Sequence, residues 1–396
     1  MKSIKQQILA PAFGVLLAAP PGVVAQPDED IEEIVVTASL RGDVPLTDVP
    51  SSISVIGGES LKAAGQQHFQ DVMDRVPNLN WSSATNRPRF FQIRGIGERS
   101  QYEGAPNPSV GFLVDDIDFS GLGGVASLFD TAQVEVLRGP QGTRYGANAL
   151  AGLVYVRTLG PSEVPEYSLE TTLADDDTWS LGFSAGGPMG ETSGYRFAVQ
   201  HYASDGFRFN DFFNTDDTND RNETSARLKL RFEPTPELTL DVTGLLVDVN
   251  NGFDAFAPEN TFVVHSDKPG EDDQQSAALA LRASFRGSDR AELVSITTIA
   301  DSDILYSFDG DWGNDEYWGE FSPYDFTSLT DRQRRTLSQE LRWVSTPSSA
   351  LFGGTTDWLA GVYALDLDED NVFLDLFNGD VFRSLDSSYS ALSLAA

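Results

Sequence analysis

The sequence predicts two joined architectures: a compact α+β domain over residues 44–160, then antiparallel transmembrane β-strands over residues 161–396 that make an incomplete barrel. Three observations predict it. In the stretch from Val134 to Thr158, strand formers at Val134, Val136 and Leu153 to Val156 flank a reversal rich in glycine. Beyond residue 161, polarity alternates with period two in one segment after another. Charge also divides the chain, whose net charge is −33: residues 1–160 hold 12 basic and 17 acidic side chains, residues 161–396 hold 15 and 43. So acidic a second region has loops that face water. It also argues against a nucleic-acid partner, because neutralising phosphates needs a basic face.

At the N-terminus, Lys2 and Lys5 precede a mostly apolar stretch from Ile8 to Ala19, and Val23-Val24-Ala25 offer small residues before a cut preceding Gln26. This pattern is a secretory signal over residues 1–25. The apolar stretch is too short to span a bilayer, which takes about 20 residues as a helix. No later segment qualifies as a membrane helix, so a membrane form of this chain has to be a β-barrel. Residues 26–43 read as a tether. There the acidic run Asp28 to Glu33 leads into Ile34, Val35, Val36, Thr37 and Ala38, a β-branched segment able to add a strand to a partner's sheet edge.

Within the α+β domain, Ser52 to Ile56 alternates as a strand. Gly58 to Gly65 is a short helix stopped by glycine, and Asp71 to Val76 is a helical turn ended before Pro77. Phe90 to Gly97 is a further strand with a glycine exit, and Val110 to Ile117 is the next. Gly95, Gly97, Gly139-Pro140, Gly142, Gly146 and Gly152 mark tight backbone positions.

The order of residues from Val134 to Thr158, with Gly139, Pro140, Gly142, Tyr145, Gly146, Asn148 and Gly152 in place, resembles the C-terminal signature of the plug domain of TonB-dependent outer-membrane receptors. The departures, Ala151 and Leu153-Val154-Tyr155, keep the strand character. Pro77 to Asn80, Ile93 to Gly97 and Val114 to Asp116 are similar to other parts of the plug. Glu33, Ile34, Val35, Val36, Thr37 and Ala38 resemble a TonB box in sequence and position. The resemblance also implies a lock, in which plug arginines point at carboxylates on the inner barrel wall. Carried over, these are Arg94 and Arg138, with Glu340 as the wall partner, since Ser338 to Arg342 resembles a barrel strand of the family. Glu340 has the parity of Ser338 and Arg342 and the opposite parity to Leu337, Leu341 and Trp343, which turns it to the lumen.

Strand patterns in the second region include Tyr195 to Tyr202, Arg227 to Phe232, Leu238 to Thr243, Leu279 to Arg286, Val294 to Ala300, Leu337 to Val344 and Trp358 to Asp366. Short turns alternate with long acidic loops over Asn210–Asn222, Asn250–Asp273 and Ser307–Asp331, as in outer-membrane barrels. About ten strands fit these residues, whereas the resemblance implies a barrel of about 22. A closed ten-stranded barrel has no room for a plug with a radius of gyration near 13 Å, by rough scaling. The last residues, Ser390 to Ala396, lack a terminal aromatic side chain. The expectation is a partial or truncated receptor.

The resemblance implies energy-coupled uptake of a scarce ligand across the outer membrane of a Gram-negative bacterium. TonB and its inner-membrane energising complex, outer-membrane lipid and a small-molecule ligand are the implied partners. A ferric siderophore is the family's default ligand, with cobalamin or an oligosaccharide as alternatives; a non-transporting remnant is the rival reading. Arg87, Arg89 and Arg99 are the candidate ligand-facing cations, and Phe207, Phe209, Phe212, Phe213, Trp312, Tyr317 and Trp318 are loop aromatics that suit stacking. The runs Asp216 to Asp220 and Asp366 to Asp370 lack the EF-hand spacing and read as solvated loop. With no cysteine, three scattered histidines, no paired acids in a recognisable motif and no nucleophile elbow, the chain offers no catalytic, metal or cofactor site.

Overall fold

The computed structural model describes residues 35–37, 44–49, 51–82, 85–99, 104–141 and 149–395. The fold is built on two large sheets, of five and ten strands, with three two-stranded pairs beside them. In the plug region, β1 (Val35–Val36) pairs antiparallel with β2 (Val44–Pro45), and β3 (Ser52–Gly57) runs into the helix α1 (Gly58–Ala63). A two-stranded sheet joins β4 (Leu79–Ser82) to β5 (Phe90–Ile93). β6 (Val110–Val114), β7 (Ile117–Asp118), β8 (Thr131–Arg138) and β9 (Gly152–Thr158) complete a five-stranded sheet of order β3-β8-β9-β6-β7, with β6 and β9 parallel.

Phe69, Phe91 and Phe112 close the core under this sheet. Their ring centroids lie 5.0, 5.5 and 5.3 Å apart in the three pairings, within the range where aromatic pairs attract. The backbone is crowded at Gly97: a Cβ there would lie 2.2 Å from the Phe91 carbonyl oxygen. His68, fully buried, caps the following 3-10 turn (Phe69–Arg75) by accepting from the Gln70 N–H. Burial, then the nearby charge of Arg87, pushes its pKa down to about 3, so it is a neutral structural side chain.

The second sheet is a ten-stranded antiparallel wall. Its strands are β10 (Glu166–Leu173), β11 (Trp179–Pro188), β12 (Ser193–Ser204), β14 (Arg221–Thr235), β15 (Leu238–Phe253), β17 (Gly270–Phe285), β18 (Ala291–Asp309), β19 (Phe326–Ser345), β20 (Leu359–Phe377) and β21 (Asp380–Ala395), paired in chain order. β13 (Phe209–Asn210) and β16 (Val263–Val264) pair with each other in the loops. β10 and β21 are the two edges, so the wall is an incomplete barrel. Three long loops, 205–220, 254–269 and 310–325, leave one end of the wall, while β14–β15 and β17–β18 turn tightly at the other.

The strands reach further than the alternation suggests. Asp272 and Asp273 lie within β17, Asp331 within β19, and the run Asp366 to Asp370 within β20, where Asp366, Asp368 and Asp370 are exposed and Glu369 turns inward. The acidic run is therefore strand, not loop. On the outer face, Leu279, Leu281, Ile299, Leu337 and Trp343 are exposed apolar side chains. Toward the long loops the same face changes to Asp301, Asp303, Asp366 and Asp368.

The inner face of the wall packs on the plug. Leu245, Val247 and Val249 of β15, Ala280 of β17 and Ala300 and Ile304 of β18 join the plug's own apolar cluster. Gly182 of β11 leaves room for a plug ring: a Cβ there would come within 2.5 Å of Phe129.

Candidate functional site: a cavity, a charged seam and a docked strand

A cavity of about 460 Å³ opens at the long-loop end, between the plug and the wall. Phe256 and Trp312 from the loops stack at its side with centroids 5.2 Å apart and planes 28° from parallel. Phe90 of the plug and Tyr306, Phe326 and Phe373 of the wall are further walls. The floor carries Arg89, Arg332, Arg334 and Glu369. Arg89 is ion-paired to Asp272, and its guanidinium lies over the Tyr306 ring at 5.6 Å from the centroid. The Arg334 guanidinium is ion-paired to Glu369 and donates to the Ser120 carbonyl at 2.6 Å, while Arg332 donates to the Gly121 carbonyl at 3.0 Å. Planar side chains around a cationic floor can stack on a conjugated ligand and hold an anionic oxygen.

A charged seam joins plug and wall, and its polarity reverses along the wall. Near the long loops the plug supplies the cations: Arg87 is bidentate on Glu223 of β14 at 2.6 and 2.8 Å, and Arg89 meets Asp272 of β17. Near the tight turns the plug supplies the anions. Asp130 receives Arg196 of β12 at 2.6 and 2.8 Å, Asp115 receives Lys229 of β14 at 2.8 Å, and Asp116 receives Arg282 of β17 with Nε at 2.9 Å. Such charge-assisted, mostly bidentate pairs are directional and strong when water is scarce.

This seam corrects the expected lock. Arg138 stays within the plug, donating to the Pro77 carbonyl at 3.2 Å and to Ser54 Oγ at 3.1 Å. Arg94 sits exposed at φ 54°. Glu340 does face the inner side with Ser338 and Arg342, but it pairs with Arg342 of its own strand at 3.1 Å. The physical reason is reach: the tips of β5 and β8 end in turns whose arginines find plug carbonyls or solvent, while residues on the flanks of the plug face the wall directly. Of the candidate ligand-facing cations, Arg87 is buried and spent on Glu223, so it is a seam residue; Arg89 borders the cavity and Arg99 is exposed. Sequence reading passed over Arg196, Lys229, Arg282 and Asp130. The available signal was basic side chains at lumen parity in the strands, set against the Asp115-Asp116 pair.

At the opposite end from the cavity lies the segment from the tether. Val36 is buried among Leu113, Leu137, Ala149 and Leu153. The Thr37 N–H donates to Glu135 Oε1 at 2.8 Å, the Thr37 hydroxyl donates to the same oxygen, and Gln133 donates to the Val35 carbonyl at 3.1 Å. Glu33, Ile34 and Ala38 lie outside the described residues, as do Gly142, Tyr145, Gly146 and Asn148 of the glycine-rich turn. Gly95 and Gly139 have φ of 77° and 126°, left-handed positions that favour glycine, and Pro140 follows on the surface. At Gly152 a Cβ would lie 2.3 Å from the Leu137 carbonyl oxygen. No group of three or more His, Asp or Glu side chains able to hold a metal occurs among the described residues.

A five-stranded plug held against an open antiparallel wall is the fold of a TonB-dependent receptor: residues 45–153 match the TonB-dependent receptor plug domain, and the strands that follow form part of its barrel. Among curated proteins the chain is similar to the pesticin receptor of Yersinia pestis, 26% identical over 208 residues that cover 52% of this chain and 30% of the receptor. It is also similar to the vitamin B12 transporter BtuB of Vibrio vulnificus, 25% identical over 214 residues, or 52% of this chain and 34% of the transporter. Among solved structures, the ferric yersiniabactin uptake receptor FyuA of Yersinia pestis superimposes with a TM-score of 0.74 at 19% identity, over 87% of this chain and 52% of that one. The chain thus spans about half the length of that solved receptor, and the matched part is about a third of the curated relatives.

Proposed function

We propose that this chain is the plug-bearing part of an outer-membrane receptor for TonB-dependent, energy-coupled uptake of a ferric siderophore. The observation that carries the reading is the pairing of an aromatic, cation-floored cavity at the long-loop end with a docked β-branched strand at the other. Ligand in the cavity touches plug and wall together, so its binding energy acts on the seam. TonB then takes the Glu33 to Ala38 segment as an added strand, which requires Val36 and Thr37 to leave their sites on β8. The chelate reading draws on the cavity's rings and on the names of two relatives, a ferric yersiniabactin receptor and a ferripyoverdine receptor. The acidic loops disfavour a strongly anionic ligand by long-range repulsion, which the arginine floor offsets locally. Residues 1–25 direct export and are removed on the way.

A second reading rests on the cavity alone: the chain binds ligand through its plug and loops without transporting it. Uptake of radiolabelled iron as ferric siderophores, in cells expressing this chain with and without TonB, decides between the two. Accumulation that needs both the chain and TonB supports transport. Accumulation equal to that of empty cells, with the chain present in the outer membrane and binding the chelate, removes transport and leaves the binding reading.

A further inference from the structure

The three long loops, two of which line the cavity, meet at one side chain. His265, in loop 254–269, sets Nδ1 2.9 Å from both carboxylate oxygens of Asp211 in loop 205–220. Its Nε2 lies 3.1 Å from Glu259 of its own loop. The ring stacks on Tyr317 of loop 310–325 with centroids 4.5 Å apart and planes 16° from parallel, and the Tyr317 hydroxyl donates to Glu259 at 2.6 Å. Backbone carbonyls on either side complete the junction, with Asn314 donating to His265 O at 2.6 Å and Asn210 to Ser266 O at 2.8 Å.

The geometry specifies a charge state. An ionised carboxylate only accepts hydrogen bonds, and a neutral imidazole has one N–H. A neutral His265 therefore satisfies one acidic neighbour and turns a lone pair on the other. Imidazolium donates to both. We propose that His265 is a proton-operated clasp on the three long loops: charged, it holds Asp211 and Glu259 together, and neutral, it gives up one of these bonds and loosens the junction. Phe256 and Trp312, which stack beside the cavity, belong to two of the clasped loops, so the clasp governs how readily that wall opens.

The charges around the ring agree. Asp211 faces it from the first loop, Glu259 and Asp254 from its own, and Tyr317 from the third as a neutral donor; Arg208 of the first loop acts on Asp254. Partial burial opposes a charge on His265, and the hydrogen bonds and negative charges of Asp211 and Glu259 outweigh it, so its pKa stands above 6.5. A raised folded-state pKa makes the stabilisation complete below the ordinary value of about 6.5 and lost as pH rises through the folded value.

The test uses the whole chain in detergent micelles, without ligand or TonB. Ring nitrogen NMR of the three histidines is expected to show His265 titrating above 6.5 with both nitrogens protonated on the acid side, and the pair Asp211→Asn with Glu259→Gln to bring it down. A wild-type value at or below about 6.5 overturns the clasp. Hydrogen exchange of the three loops, corrected for intrinsic rates, should be several-fold faster near pH 8.5 than near pH 5.5 in the wild type. In His265→Gln that difference should vanish; an equal pH dependence in both also overturns it. The consequence for ligand exchange rests on the uptake reading, but the clasp is measured without it, so either can fail alone.

Discussion

In the plug, Phe69, Phe112 and Phe119 are fully buried, whereas on the wall Leu169, Leu173 and Leu246 expose 70%, 85% and 61% of their surface. The plug is organised like any small soluble domain, apolar inside and polar out. Apart from the apolar patch that meets the plug, the wall is inverted: side chains such as Ser184, Arg196, Thr298 and Arg334 point inward, and Leu169, Leu173 and Leu246 point outward. Both are stable only if each outer surface meets the solvent it is built for. For the wall that solvent is lipid, the reading proposed above, since lipid-facing and lumen-facing residues alternate along every strand of an outer-membrane barrel. The outer face adds a boundary. Its apolar band gives way midway along β18 and β20 to Asp301, Asp303, Asp366 and Asp368, with Asp366 directly across from Leu337.

The comparison can be broken at graded cost. Phe112→Ala empties the centre of the plug and is expected to cost about 3–5 kcal/mol, read by urea unfolding of the chain refolded into vesicles; a loss under about 1 kcal/mol would mean the plug core does not carry the fold. Leu279→Arg on the outer band should cost about 2–4 kcal/mol in lipid, and near-neutral behaviour in the same assay would show that this face does not meet lipid. Lys229→Met, which leaves Asp115 its bonds to Thr158, should cost about 1–3 kcal/mol. Its control is Arg138→Met, whose bonds stay within the plug; faster exchange at the plug–wall seam is expected in the first variant alone. Asp368→Lys, beyond the band, should cost about 0–1 kcal/mol; a penalty as large as that of Leu279→Arg would move the membrane boundary.

How much of this was legible in the sequence depends on whether the deciding information is local. The strand–turn–strand from Val134 to Thr158 and the inward parity of Glu340 are local patterns, and period two alone yields the second. The seam is different. Which plug arginine meets which wall carboxylate depends on how two separately patterned regions are set against each other, and nothing within Ile93 to Gly97 encodes that. Arg94 and Arg138 were therefore assigned to the wrong partner. The reach of the strands was hidden for a second reason. Asp331 and Asp368 read as loop because acids are poor strand formers, yet in the long strands β19 and β20 they are exposed and alternate with inward residues at little cost. The clasp at His265 draws on three loops and has no sequence pattern at all.

The reversed polarity of the seam makes the plug's axial position self-correcting. With cations leading at one end and anions at the other, sliding the plug as a rigid piece toward the tight turns brings Arg87 and Arg89 down toward Arg196, Lys229 and Arg282. Like charges then face one another where attraction had been, and repulsion grows with travel rather than fading. A steady pull on the plug from that end thus meets rising resistance from whole-body motion.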